Sequence, residues 1–178
     1  GRVGRAADIG AWALPLPTLD PQIIARSARA LEAYGPDFRY SHFWVAGGAA
    51  RAIALSGLVV GAFGLAKLPP ARALARRLRP AGSGPSPRQR AEGWFRVRFV
   101  GIAGDETTGE GRRIVAEVRG GDPGYGETSK ILAESALCLA SDDLPETAGQ
   151  VTTAVAMGNA LLARLERAGM TFRVVERT

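Results

Sequence analysis

Cysteine and histidine each occur once in this chain, as Cys138 and His42, and only two of its 23 basic residues are lysines. One cysteine excludes an internal disulfide framework. Apolar neighbours at helical spacing make Cys138 a buried, reduced thiol rather than a nucleophile. One histidine with one cysteine leaves no zinc-type ligand set, so no metal is expected. His42 is the only histidine base on offer, and no G-x-S-x-G nucleophile turn accompanies it. No helix-turn-helix, paired RNP aromatics or KH loop is readable, which argues against nucleic acid as a partner. Gly1-Arg2-Val3-Gly4 offers neither a Met nor an apolar run, so no leader is expected and the chain reads as a cytoplasmic piece of a longer protein.

What is present describes a folded chain. The 178 residues are 46% hydrophobic and 22% charged, enough for a real core and of a length that suits one domain. The net charge is +6, and it is concentrated. Between Lys67 and Arg98 lie nine basic residues, among them Arg72, Arg76, Arg77 and Arg79, opposed only by Glu92. A run of that kind favours an anionic partner.

Periodicity orders the rest. In "LPLPTLDPQIIARSARAL", Asp20 is placed to cap a helix with Pro21 in its first turn, and Ile23, Ile24, Ala28 and Leu31 form one apolar face. "YGPDFRYSHFWVAGG" turns at Gly35-Pro36 and then extends as far as Gly47-Gly48, with Tyr40, His42, Phe43 and Trp44 forming an aromatic cluster. Arg51 and Lys67 bracket fifteen uncharged residues. As a helix these would span about 22 Å, short of the ~30 Å hydrocarbon layer, which favours a helix buried beneath a sheet. Gly57 and Gly61 form a G-x-x-x-G pair, which serves close packing in membranes and soluble cores alike. Pro69-Pro70 opens a basic helix, and residues 81–87 read as a loop. "WFRVRFVG" and "RRIVAEVRG" alternate with period two and form an antiparallel pair. Helices near 127–140 and 153–168 follow, the second stopped by Gly169, and "TFRVV" closes as a strand. The fold class is α+β, an antiparallel or mixed sheet covered by helices.

The segment "VRGGDPGYGETSKILAESALCLA" carries four glycines between Gly120 and Gly126 at the start of a helix. Three phosphate-loop templates fail on the chain. Ser129 stands where G-x-G-x-x-G needs its third glycine, Glu127 rather than lysine follows Gly126, and no strand precedes "GRVGR". Two readings of the loop stay open: a tight turn capped by Thr128 or Ser129, or a clamp offering helix-start N–H groups to a substrate carbonyl or a nicotinamide amide, with Tyr125 reaching into a cleft. The Asp142-Asp143 pair after the helix reads as a solvated turn.

Together "LDPQIIARSARAL", "YGPDFRY", "GWFRVRFVG", the "GGDPGYGETSKILAESALCLA" block and "QVTTAVAMGNALLARLERAGMTFRV" closely resemble the C-terminal part of saccharopine dehydrogenase-like oxidoreductases. The nearest branch is the bacterial one that includes trans-acting enoyl reductases. The resemblance implies that residues 1–178 form the substrate-side, closure region of a two-domain enzyme. A separate N-terminal Rossmann domain would be its partner and would hold NADP or NAD, with no cofactor bound by this stretch itself. Asp122, Gly124, Tyr125, Tyr40 and His42 are the candidate residues of the substrate cleft. The substrate would be of acyl or polyketide type. Two alternatives without catalysis remain: a module that lies on a lipid surface through the apolar and basic helices, or one that docks an acidic acyl carrier protein on the basic run. Association with a membrane and assembly as a homodimer are both compatible with these readings.

Overall fold

The computed structural model describes residues 4–6, 11–16, 18–78, 82, 84–104 and 111–177. Length pointed to one domain; the chain divides into two compact units, Gly1–Gly84 and Pro85–Thr178.

The first unit holds strands β1 (Gly4–Ala6), β2 (Ala11–Pro15) and β3 (Phe43–Gly47) in one antiparallel sheet of that order. Helix α1 (Asp20–Ala30) and a short 3-10 turn (Glu32–Tyr34) connect β2 to β3. Asp20 is the first helical residue rather than the cap, which falls at Leu19 with no side-chain bond; Pro21 does occupy the first turn, where no N–H partner is lost. The sheet extends further than the sequence pattern shows. β2 is short, ends in proline and carries no polar–apolar alternation, so only pairing with Phe43–Gly47 makes it a strand.

Helix α2 (Ala49–Ala66) and helix α3 (Pro69–Leu78) complete this unit. The expectation of a helix buried beneath a sheet is overturned here. Of the residues of α2 only Ala52 is buried, while Ile53, Leu58, Val60 and Phe63 are each about two-thirds exposed or more. The helix is also longer than the fifteen uncharged residues, because Ala49, Ala50 and Arg51 belong to it. Arg79, the last of the four basic-helix arginines, lies outside the described residues.

The second unit opens within the stretch expected as loop, residues 81–87, and Pro87 is already helical. Ser86 caps helix α4 (Pro87–Glu92) through a reciprocal pair with Gln89, the Gln89 N–H donating to Ser86 Oγ and the Ser86 N–H to Gln89 Oε1. Strands β4 (Phe95–Ala103), β5 (Arg112–Gly120) and β6 (Thr171–Arg177) then form an antiparallel sheet in that order. Its register pairs Val97 with Val118 and Phe99 with Ala116, as period-two alternation requires. Residues 105–110 of the β4–β5 connection lie outside the described residues.

Helices α5 (Gly126–Ser141) and α6 (Thr153–Arg167) supply the core. Cys138, Ala156, Met157, Leu161, Leu165 and Met170 are buried together, with Phe95, Val118, Ile131 and Phe172 packed on them. Helices therefore cover one face of the sheet, and the α+β expectation holds with antiparallel pairing throughout the described strands. Gly158 sits inside α6 at φ 45°, ψ −126°, a conformation that side chains with a Cβ avoid, and kinks the helix there. Gly169, at φ 96°, ends α6 as the sequence predicts.

Candidate functional site

Tyr40 and His42 belong to the first unit, and Asp122, Gly124 and Tyr125 to the second, so the sequence candidates form two constellations. In the first, the Tyr40 hydroxyl lies 3.3 Å from His42 Nδ1, and Asp20 Oδ2 lies 3.6 Å from the same nitrogen. A proton relay needs one partner on each ring nitrogen. Here both partners share Nδ1, an arrangement that braces the ring and does not form a relay. Burial, and secondarily the Asp20 charge, push the Tyr40 phenol above its ordinary range, so it remains protonated. The aromatic cluster is narrower than the sequence implies. Tyr40 meets His42 edge-on at a ring separation of 6.1 Å, while Phe43 and Trp44 run into β3 largely exposed.

The second constellation is built on the turn between β5 and α5. Asp122 is its organiser: its Oδ2 accepts the N–H groups of Tyr125, at 2.8 Å, and Gly126, at 3.0 Å. Its carbonyl accepts the Glu127 N–H at 2.8 Å. The backbone bond from Gly126 leads the causes that hold the Asp122 carboxyl below the usual range. The cap is thus Asp122, not Thr128 or Ser129; the Thr128 hydroxyl instead donates to the Pro123 carbonyl. This changes the clamp reading. The helix-start N–H groups of Tyr125 and Gly126 already face a carboxylate of the chain itself and are not presented to a ligand. What the turn does present is the Tyr125 side chain, 50% exposed.

The four glycines divide into two kinds. A Cβ on Gly120 would lie 2.5 Å from Phe95 Cε1, and one on Gly121 would lie 3.1 Å from Glu127 Oε1. Their bareness lets β5 end against Phe95 and the Glu127 side chain. A Cβ on Gly124 would meet only Asp122 Oδ1, at 3.7 Å, and on Gly126 only Asp122 atoms at 3.7 Å or beyond. Neither has a positive φ. The packing constraint therefore sits at Gly120 and Gly121 and not at the cleft candidate Gly124.

Sequence reasoning passed over Glu127. Its side chain is 10% exposed, Lys130 Nζ lies 2.7 Å from Oε1, and Oε2 is buried with no hydrogen-bond partner among the described residues. A buried acceptor left unpaired costs free energy until a donor reaches it. The signal was present as an acid at helix position two with a lysine three residues on. Only the fold, which lays Glu127 under the glycine pair, makes it buried.

Two further acids anchor the unit. Asp142 is not in a solvated turn. It accepts Nε of Arg164 at 2.6 Å and Nη2 at 2.7 Å, and this pairing pulls its carboxyl down to about 2. Glu134 Oε2 adds a third contact to Arg164 at 3.3 Å. Burial, with Asp142 nearby, raises the Cys138 thiol, so it stays unreactive. On β5, Glu117 is buried beneath Arg96, Arg98 and Arg119, which lie 3.8, 3.4 and 2.5 Å from it. The basic run is accordingly not one patch: Arg96 and Arg98 are turned onto Glu117 and Arg88 onto Glu92, whereas Arg72, Arg76 and Arg77 are exposed on α3.

A nicotinamide cofactor needs backbone N–H groups for its pyrophosphate and, ordinarily, a parallel strand–helix–strand unit. The glycine turn here has its N–H groups on Asp122, a carboxylate that would repel phosphate, and β5 pairs antiparallel on both sides. These residues do not fit the group. A hollow of about 380 Å³ among Gly101–Ala103, Arg112–Ile114 and Arg177 opens at the other end of β5 and touches none of the candidate residues.

No family model matches the chain, and no solved structure matches it. Curated proteins do. It is 39% identical over 165 residues to a Mycobacterium tuberculosis protein named as a candidate trans-acting enoyl reductase, covering 85% of this chain and 38% of that one. To a trans-acting enoyl reductase of Mycobacterium ulcerans it is 38% identical over 160 residues, covering 83% and 37%. One of Mycobacterium bovis is 37% identical over 161 residues, with the same coverage. The chain spans under two-fifths of the length of these relatives. Over most of its own length it is a homologue of the mycobacterial trans-acting enoyl reductases.

Proposed function

We propose that this chain is the substrate-side part of an NAD(P)-dependent enoyl reductase of the saccharopine dehydrogenase-like type, acting on acyl or polyketide-type substrates. The observation that carries the reading is the identity of 37–39% to trans-acting enoyl reductases over more than four-fifths of the chain. The α+β second unit, with its rigid glycine turn, supports it.

On this reading the nicotinamide cofactor supplies hydride chemistry from a Rossmann domain elsewhere in the protein. This chain's residues bind and orient. Tyr125 is the candidate donor to the substrate carbonyl, because its side chain leaves a rigid, Asp122-capped turn half exposed. Glu127 Oε2 is the candidate acceptor for a substrate or partner N–H. Tyr40 and His42 serve as a braced wall of the first unit. The N–H groups of Tyr125 and Gly126 at the glycine turn are engaged by Asp122, which supports a division of labour between two domains.

The test is kinetic. Full-length protein is mixed with NADPH or NADH and a crotonyl thioester of pantetheine, and cofactor oxidation is followed by absorbance. Oxidation dependent on the enoyl thioester is the expected result. Failure with both cofactors and with enoyl thioesters of several chain lengths would sink the enoyl reductase reading. In parallel, calorimetry on residues 1–178 alone is expected to show no NADPH binding, and measurable binding would overturn the division of labour.

A further inference from the structure

We propose that α2 inserts into the hydrocarbon of an anionic lipid bilayer, with the arginines of α3 at its headgroups. The inference goes beyond the reductase reading and does not depend on it.

Past Arg51, α2 carries no charged residue on any side. Its 18 residues have a mean hydropathy of 1.7, and 6% of them are buried. Leu58, Val59 and Val60 are consecutive and exposed by 68, 47 and 71%. At 100° per residue these three alone sweep about 200° of the helix surface. A helix apolar all round belongs in a core or in lipid, and a protein partner seated on one face would leave the other face wet. Its length, about 27 Å at 1.5 Å per residue, approaches the ~30 Å hydrocarbon layer. The apolar part, residues 52–66, accounts for ~22 Å of this, and the first turn, Ala49–Arg51, sets the Arg51 charge at the headgroup end.

Charge identifies the kind of apolar phase. From Phe38 to Ala91 the chain contains no aspartate or glutamate, against nine arginines and lysines. α3 follows α2 directly and is amphipathic: Arg72 and Arg76 share one face four residues apart, and the exposed Leu74 and Leu78 share another. That is the composition of a helix lying at an anionic interface. Trp44, 56% exposed in β3, stands five residues before α2, where an aromatic anchor meets headgroups. Acidic headgroups complement this charge distribution; neutral ones do not.

The experiment is flotation of the full-length protein with phosphatidylcholine vesicles, with and without phosphatidylglycerol. The expected result is co-flotation that strengthens with phosphatidylglycerol. Phe63→Glu should abolish it while leaving the circular dichroism spectrum and Tm unchanged, because Phe63 is 67% exposed. Arg76→Glu with Arg77→Glu should weaken partition to the anionic vesicles by about 25-fold or more, taking about fivefold (~1 kcal/mol) for each arginine. Absence of flotation, or flotation unaffected by Phe63→Glu, would overturn the proposal. So would a drop in Tm of several degrees for Phe63→Glu, which would make α2 a core helix of a longer protein. A lipid-free dimer dissociated by Phe63→Glu would assign the surface to a second copy. Loss of acyl carrier protein binding in the arginine variant, with vesicle partition unchanged, would assign α3 to carrier docking.

Discussion

Replacing Gly120 by alanine adds one methyl at the tightest point of the β5–α5 turn. The new carbon would lie 2.5 Å from Phe95 Cε1 and 3.1 Å from Glu127 Cγ. Ordinary contact begins near 3.4 Å, so the Phe95 ring must retreat by nearly 1 Å. Phe95 packs on the core formed by Cys138, Met157 and Leu161, which leaves it little room to move. Overpacking of this sort costs about 1–3 kcal/mol. For a chain of this size each kcal/mol lowers Tm by about 2–4 °C, so a fall of roughly 2–12 °C is expected. Gly124→Ala is the control. Its φ is not positive, and its added carbon meets only Asp122 Oδ1 at 3.7 Å. Lower entropy of the unfolded chain should then leave stability unchanged or raise it by about 0.4–1 kcal/mol. Thermal unfolding of both variants, followed by circular dichroism, makes the comparison. Equal Tm values, or a larger loss at Gly124, would refute the assignment of the packing constraint to Gly120.

Tyr125→Phe should lower turnover of the full-length enzyme with enoyl thioester and leave cofactor KM unchanged. Stability should move by less than about 0.5 kcal/mol, because a half-exposed ring is not held by packing; wild-type kinetics would leave the loop a structural turn. Glu127→Gln should leave stability within about 1 kcal/mol, since the amide oxygen still accepts from Lys130 Nζ and relief of the unpaired buried oxygen offsets the lost charge, yet reduce turnover at least about tenfold if that oxygen receives a ligand N–H. Intact turnover in this variant would remove Glu127 from the site. Asp142 is held at about 2 in the folded chain against an ordinary 3.8. A depressed carboxyl stabilises the fold above its ordinary value and loses that contribution as pH falls through the folded one. Tm should therefore drop between about pH 4 and pH 2, and Asp142→Asn should flatten that limb while lowering Tm at pH 7; an unaltered acid limb would contradict the Arg164 assignment.

Much of the second unit was legible in the order of residues, because its elements are amphipathic. Alternation in "WFRVRFVG" and "RRIVAEVRG" requires one wet and one dry face, and β4 and β5 pair as that alternation demands. The apolar spacing of Ile131, Cys138, Leu161 and Leu165 placed α5 and α6 over the sheet, with Cys138 buried. The resemblance to trans-acting enoyl reductases was carried by residues in a fixed order and needed no fold. β1 and β2 were not legible: a three-residue and a five-residue strand have no periodicity of their own, and β2 exists through pairing with Phe43–Gly47 and β1 through pairing with β2.

The site was less legible, for a different reason. Hydrogen-bond acceptors compete, and sequence order does not rank them. Thr128 and Ser129 are good caps by residue type, but the Asp122-Pro123 bend carries a full carboxylate to the Tyr125 and Gly126 N–H groups, where charge assists the bond. Likewise nine basic residues between Lys67 and Arg98 say nothing of which acids reach them, and the sheet register turns Arg96 and Arg98 onto Glu117. α2 marks the same boundary. Its apolar composition was legible, since hydrophobicity is a local property. Whether those side chains are buried or face outward depends on what the rest of the chain packs against them, and that only the tertiary structure decided.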